Sequence, residues 1–482
     1  MKKLLMKVLV VFLVVTANLS AATNNDFKGK MPKYVFLFIG DGMSMAQVAA
    51  TEMYLAASGT KPDQTKLSFS QFDAQGLTTT YDAGSLITDS ASAITAIASG
   101  NKTLSGVINM DTTKTKKFTT IAEMAKAKGK KVGVVTSVSL DHATPAGYYA
   151  KEVSRGNYYD IGIQLAKSNF DYFGGGGFVQ PTGKNKDQKD IYEVIKENGY
   201  TLALNNDDFK KLKNGEKSVA INAQLADGSS MNYEVDRKKD ILSLADFTQK
   251  GIEVLDNKNG FFLTVEGGKI DWACHANDAL SSILDTIAFD DSVKVAIEFM
   301  KKNPKDTLII VTGDHETGGM SIGFAGTQYS TFFNKLKGQK ISYVGFDTLL
   351  ATMKKEGTLN KFEDILPIIK ENFGLTTDDS KSDLFLNEYE LNSLKEAFKL
   401  TAMNATERPK NDMIYLQYGG YEPLTIELTH IINKKAGIAW TSYSHTAVPV
   451  PTYASGSGSD LFNGYYDNTD IFFKLKSIMG VK

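Results

Sequence analysis

The chain has 482 residues, 42% of them hydrophobic, and its 54 basic and 55 acidic side chains nearly cancel to a formal charge of −1. That balance, with no basic stripe, argues against nucleic-acid binding through phosphate neutralisation. The single cysteine, Cys274, excludes an internal disulfide, so stability must come from a core, and a chain this long can bury a large one.

At the N-terminus, Met1-Lys2-Lys3-Leu4-Leu5-Met6-Lys7 is basic, Val8 to Ala17 is apolar, and Ser20-Ala21-Ala22 is small. This is the layout of a secretory signal peptide over residues 1–22. Its apolar run is too short to span a bilayer comfortably, an uncleaved N-terminal anchor being the alternative, and no later segment approaches the ~18 apolar residues a span needs. The mature chain, residues 23–482, is therefore expected to be exported, periplasmic or secreted, and without a membrane span. Loss of Lys2, Lys3 and Lys7 takes its charge to about −4.

Four short apolar runs of β type follow: Tyr34 to Ile39, Val132 to Thr136, Phe261 to Val265 and Thr307 to Val311. Helical patterns lie between them. Phe118 to Lys128 stops at Gly129, a C-cap signal, and Ala279 to Lys302 stops at Asn303-Pro304. The alternation predicts an α/β fold with a central, largely parallel sheet flanked by helices. Two stretches read as insertions. Residues 175–245 include the Gly174–Gly177 run, expected to be a flexible loop because it lacks the order of a phosphate cradle. Residues from about 325 to 425 carry lysine-rich helical patterns such as Leu391 to Leu400 and no candidate ligand, so they are expected to form an inserted crown or cap region.

In such sheets ligands bind beyond the carboxyl ends of the strands. Asp41 follows the first run, His142 and Thr144 the second, Glu266 the third, and Asp314-His315 the fourth. Only five histidines occur in the chain, and four lie in segments that read as metal-ligand motifs: Asp141-His142, Asp271 to His275, Asp314-His315 and Ser444-His445. Imidazole with carboxylate is a ligand set suited to zinc in hydrolytic chemistry. Asp271 and His275, at i and i+4, share a face if their segment is helical. Cys274 then points elsewhere and is expected to be a buried thiol. His430, in Leu428-Thr429-His430-Ile431, has apolar neighbours and reads as structural. Thr88-Asp89-Ser90 opens a small-residue helix, a place where free backbone N–H groups favour a phosphoryl-carrying nucleophile but where an ordinary cap is also common. No Gly-x-Ser-x-Gly elbow is present, so a metal would have to activate Ser90. Arg155 is one of only three arginines, which gives it weight.

Taken together, Phe38-Ile39-Gly40-Asp41-Gly42-Met43, Thr88-Asp89-Ser90-Ala91, His142-Ala143-Thr144-Pro145-Ala146 with Arg155, Val265-Glu266-Gly267, Asp271 to His275, Asp314-His315 and His445 closely resemble the alkaline phosphatase family, in the family's order and spacing. The resemblance implies a phosphomonoesterase with two zinc ions and one magnesium ion, small phosphomonoester substrates and often a homodimer. It implies Asp271, His275 and His445 as ligands of the first zinc, and Asp41, Asp314, His315 and the Ser90 oxygen as those of the second. Asp41 would bridge to a third site completed by Thr144 and Glu266, with His142 beside it. Ser90 would be the nucleophile, passing through a phosphoserine, and Arg155 would grip the phosphate. Some members have aspartate where His142 stands, which bears on the third metal, and some have lysine where Trp272 stands, which bears on substrate contact and pH optimum. A phosphodiesterase or sulfatase of the same superfamily, and a non-catalytic exported phosphate-binding protein, are the competing expectations. Ser90, Arg155 and Glu266 together favour monoesters.

Overall fold

Ten strands join into one sheet in the computed structural model, which describes residues 27–59 and 65–482. The expected signal peptide lies outside the described residues. From edge to edge the strands are Gly464–Asp467, Ala74–Thr79, Val450–Gly456, Thr307–Gly313, Tyr34–Gly40, Phe261–Glu266, Lys131–Thr136, Tyr172–Gly175, Ser218–Ile221 and Thr201–Ala203. Val450–Gly456 runs antiparallel to both neighbours, and every other pairing is parallel.

The central strand shows why parallel strands read as unbroken apolar runs. In Tyr34–Gly40, Val35, Leu37 and Ile39 join the core cluster formed with the helices Ser90–Ser99, Ile121–Ala127 and Asn468–Met479. Phe36 and Phe38 point the other way, into the cluster with Leu244–Leu255 and Ala279–Lys302. Helices thus cover both faces. Phe36 is fully buried, with its ring edge-on to Phe261 at 5.2 Å and Phe299 at 5.7 Å. Truncating it to alanine would cost about 3–5 kcal/mol.

Two sequence expectations shift. Half of the glycine run is strand: Tyr172–Gly175 is buried in the sheet, with Gly176 and Gly177 beyond its end, and a Cβ on Gly175 would stand 1.8 Å from the Thr136 carbonyl oxygen. The glycines let this strand lie hard against the turn after Lys131–Thr136. Residues 175–245, moreover, supply two further strands of the sheet, Thr201–Ala203 and Ser218–Ile221, so they extend it. Between 343 and 436, five helices build a separate core around Phe346, Ile369, Phe373, Leu394 and Phe398. The last of them, Pro423–Ala436, carries this body past residue 425, and Ala273 and Ala276, in and just after the helix Lys269–His275, belong to the same core. No helix among the described residues is long and apolar enough to cross a membrane.

Candidate active site

The strand register brings distant chemistry to one edge. Ile39 pairs with Glu266 and Gly40 with Gly313, so Asp41, Glu266 and Asp314 leave three adjacent strands at the same level. All three are buried, as are Ser90 and His315. Arg155, His275 and His445 are partly exposed and form the mouth above this floor, the Arg155 side chain being 27% exposed.

Three histidines present Nε2 to the site, and their outer contacts fix that choice. His275 Nδ1 lies 2.6 Å from the Tyr443 carbonyl and His445 Nδ1 lies 2.8 Å from that of Thr88. A carbonyl can only accept, so each Nδ1 carries a proton and Nε2 is the nitrogen left to offer a lone pair to a cation. The Thr317 hydroxyl donates to Asp271 Oδ1 at 2.5 Å, which leaves its oxygen to accept from His315 Nδ1 at 3.3 Å. The His315 and His445 rings stack, with centroids 3.6 Å apart.

The bared nitrogens face each other and carboxylates. His275 Nε2 is 3.1 Å from His445 Nε2 and 3.4 Å from Asp271 Oδ1, and His445 Nε2 is 3.6 Å from the same oxygen. Tetrahedral ligands bound at about 2.0–2.1 Å stand about 3.3 Å apart, so this triangle has the dimensions of a zinc site. His315 Nε2 is 3.2 Å from Asp314 Oδ2, 3.4 Å from Asp41 Oδ1 and 3.2 Å from the Ser90 hydroxyl. Lone pairs turned on one another at these separations repel unless a cation lies among them.

The carboxylate end repeats the pattern with oxygen. Asp41 Oδ2 accepts from the Thr144 hydroxyl at 3.3 Å, and Glu266 Oε2 accepts from Thr136. One His142 ring nitrogen lies within 4.8 Å of Asp41 and Glu266 oxygens. Asp41 Oδ1, Glu266 Oε1, Asp314 Oδ2 and His142 Nδ1 are buried and have no hydrogen-bond partner. Buried polar atoms are normally paired, so the orphaned oxygens of Asp41, Glu266 and Asp314 mark cation sites, whereas the neutral His142, with Nε2 facing the donor Arg155, carries its proton on Nδ1. Burial and mutual repulsion push Asp41 and Asp314 well above the usual carboxylate range, and burial lifts Glu266 to about 7. Asp271 goes the other way: burial would raise it, but His275, His445 and His315 hold it well below. His275 is lifted to about 9 because Asp271 and the Tyr443 carbonyl outweigh its burial. The donor set therefore fits divalent metal ions.

Ser90 opens the helix Ser90–Ser99, capped by Asp89, whose Oδ1 accepts from Ser92 N at 3.0 Å. Arg155 reaches over from the mouth, donating to Asp89 Oδ2 at 3.0 Å and lying 3.2 Å from His142 Nε2. Burial, then Arg155, lowers His142 to about 3, so it stays neutral.

The sequence-predicted residues Asp41, Ser90, His142, Thr144, Arg155, Glu266, Asp271, His275, Asp314, His315 and His445 thus share one cleft. Asp141 does not join it; its Oδ2 accepts from Val179 N at 2.9 Å. Cys274 also turns away, towards Ser282 and Gln47. His430 contacts Asn277 at 3.0 Å, outside the site. Two working residues went unrecognised in the sequence. Asp89 was read only as a helix cap and also braces Arg155. Thr317 ties Asp271 to His315; at two residues past His315 it shares that residue's side of an extended segment, which was readable.

The profile of the family described as alkaline phosphatase matches residues 32–481. Alkaline phosphatase 3 of Bacillus subtilis is 34% identical over 453 residues, which cover 91% of this chain and 87% of that one. The crystal structure of Thermus thermophilus alkaline phosphatase is 25% identical, with a TM-score of 0.79 and coverage of 98% of this chain and 96% of that one. A histidine-to-glutamate variant of the alkaline phosphatase from the Antarctic bacterium TAB5 is 26% identical, with a TM-score of 0.65 and coverage of 94% and 100%; its structure holds magnesium in a site called M3.

Proposed function

The chain belongs to the alkaline phosphatase family, a metal-dependent one, and hydrolyses phosphate monoesters, and we propose that it does so through a phosphoserine on Ser90. The observation that carries this is the Ser90 hydroxyl, 3.2 Å from a bared His315 Nε2 at the buried N-terminus of a helix and open to a cleft with Arg155 at its mouth.

Asp271, His275 and His445 would hold one zinc ion, and Asp41, Asp314, His315 and the Ser90 oxygen a second. Asp41, Thr144 and Glu266, with His142 beside them, would hold a third ion, read as magnesium. Magnesium in the M3 site of the TAB5 variant supports the third ion, although His142 here adds a nitrogen that also suits zinc. When bound, such ions lower the pKa of a coordinated oxygen and neutralise charge on attacking and leaving oxygens.

The chain's own residues then do the following. Arg155 offers a planar fork of N–H donors to two phosphate oxygens, a geometry lysine cannot reproduce, and Asp89 holds that fork in place. Ser90 gives up its proton, and its Oγ bonds to phosphorus as the ester P–O bond breaks and the alcohol leaves with a proton. Water then attacks the phosphoserine from the vacated side, releasing inorganic phosphate and restoring the Ser90 hydroxyl. The helix amides at Ser90 favour the anionic phosphoryl group throughout.

Export, to the periplasm or medium, is proposed from the layout of residues 1–22, and a homodimer from the family resemblance. Residues 23–482 are proposed as one catalytic domain, with the 325–425 stretch as its insertion. The deciding experiment compares p-nitrophenyl phosphate with bis-p-nitrophenyl phosphate on zinc- and magnesium-loaded protein at alkaline pH. Strong monoester preference is expected. Diester preference would overturn the Ser90–Arg155 reading while leaving the metal ligands in place.

A further inference from the structure

Lys269 is the least expected charge in the molecule. It is the first residue of the helix Lys269–His275, which carries Asp271 and His275, and it is completely buried. A cation at a helix N-terminus opposes the helix dipole, and a buried ammonium is costly unless fully partnered. Its partners are specific. Nζ lies 2.8 Å from Asp227 Oδ1 and 3.0 Å from the Ser230 hydroxyl. It also sits 3.8 Å over the Tyr233 ring and 4.6 Å over the Trp272 ring.

These contacts bind the 226–230 loop to the Trp272 indole. Gly228, at φ +56°, allows the close approach: a Cβ there would stand 2.9 Å from the indole edge. The opposite side of Trp272 meets His142 edge-on, with centroids 5.7 Å apart, and His142 Nε2 is 3.2 Å from Arg155. A continuous line of contacts therefore runs from Asp227 through Lys269, Trp272 and His142 to the guanidinium at the mouth of the site.

We infer that Lys269 is a positioning residue for the phosphate-gripping end of the site: clamped between Asp227 and the indole, it fixes the wall that braces His142 and, through it, Arg155. This rests on the reading of Arg155 as the phosphate grip. Lys269 touches no reacting atom; it restrains an indole that also packs against the helical core around Phe346 and Phe373 and meets His142 edge-on.

The chain has two tryptophans, so a Trp440→Phe background isolates Trp272 emission. In it, Lys269→Met should about double acrylamide quenching of Trp272 and raise both the inorganic phosphate Ki and the KM for p-nitrophenyl phosphate by roughly five- to tenfold, with kcat within about threefold. Zinc content should not change, and Lys269→Arg should restore most of both readouts. Asp227→Asn, at a side chain one-third exposed, keeps a hydrogen-bonding oxygen for Nζ, should move them in the same direction and serves if Lys269→Met does not fold. Increased quenching with an unchanged Ki, or no change in either, would overturn the inference and leave Lys269 a loop anchor. An Arg155→Ala variant with an unchanged Ki would instead overturn the grip on which it rests.

Discussion

The two ends of the cleft hold cations in opposite ways. At the histidine end, three Nε2 atoms are set in advance, because Tyr443, Thr88 and Thr317 each take the Nδ1 proton. At the carboxylate end only half is satisfied beforehand: Asp41, Glu266 and Asp314 each have one oxygen hydrogen-bonded and leave the other buried and unpartnered. The first arrangement spends hydrogen bonds on orientation and so selects a small tetrahedral ion. The second stores repulsion that only positive charge relieves, and hard oxygen donors select by charge more than by angle. Asp41 belongs to both, with Oδ1 facing His315 and Oδ2 facing Thr144, so occupancy at one end must influence the other.

The largest effect should come from Ser90, where the two ends meet. Ser90→Ala should lower turnover by at least about 10³-fold and abolish the phosphoserine seen by mass spectrometry after acid quench. Turnover within tenfold of wild type would remove it as nucleophile. It would also detach the histidine end from the chemistry.

Metal removal tests the stored repulsion directly. Glu266 rises from 4.5 to about 7 and His275 from 6.5 to about 9, so in the metal-free fold each favours its protonated form. Stability from such groups is complete below their unfolded values and is lost as pH rises through the folded ones. Chelator-treated protein should therefore lose several degrees of Tm between about pH 5 and pH 9, whereas the metal-loaded protein should not. Glu266→Gln should flatten the lower part of that slope only. A metal-free Tm that rises across this range would show that the carboxylate end does not store the repulsion described.

A smaller effect separates the ends. His142→Asp adds an oxygen donor and should tighten magnesium binding about tenfold, by metal titration, while zinc at the histidine end stays stoichiometric. Loss of that zinc would mean the ends are not separable. The smallest effect is expected at Cys274, whose thiol faces Ser282 and Gln47. Cys274→Ser should keep its zinc, measured by elemental analysis, and activity within about twofold. A lost zinc would make the thiol part of the site.

Much of this was legible in the chain. The helix expected over Ala279 to Lys302 has those bounds, and the one expected over Phe118 to Lys128 forms over Ile121–Ala127 once Thr120 and Glu123 cap it. The helical spacing of Asp271 and His275 held as well, because periodicity and capping are local. What misled was also local. Four consecutive glycines suggest a loop, yet Gly174 and Gly175 end a strand paired with Lys131–Thr136, and only Gly176 and Gly177 lie beyond it. Asp141 looked like a partner for His142, but its carboxylate caps the Val179 amide instead.

The sequence alone determined which donor types leave which strand ends, since strand periodicity and chain order are written in it. The tertiary structure decided which nitrogen of each histidine faces inward, because the carbonyls of Tyr443 and Thr88 reach His275 and His445 from 168 and 357 residues away. It also decided that Lys269 and Trp272 share a wall with the 226–230 loop. Neither is encoded by spacing; both follow from how separate segments close over one sheet edge, where burial turns each misplaced proton or charge into an energetic cost.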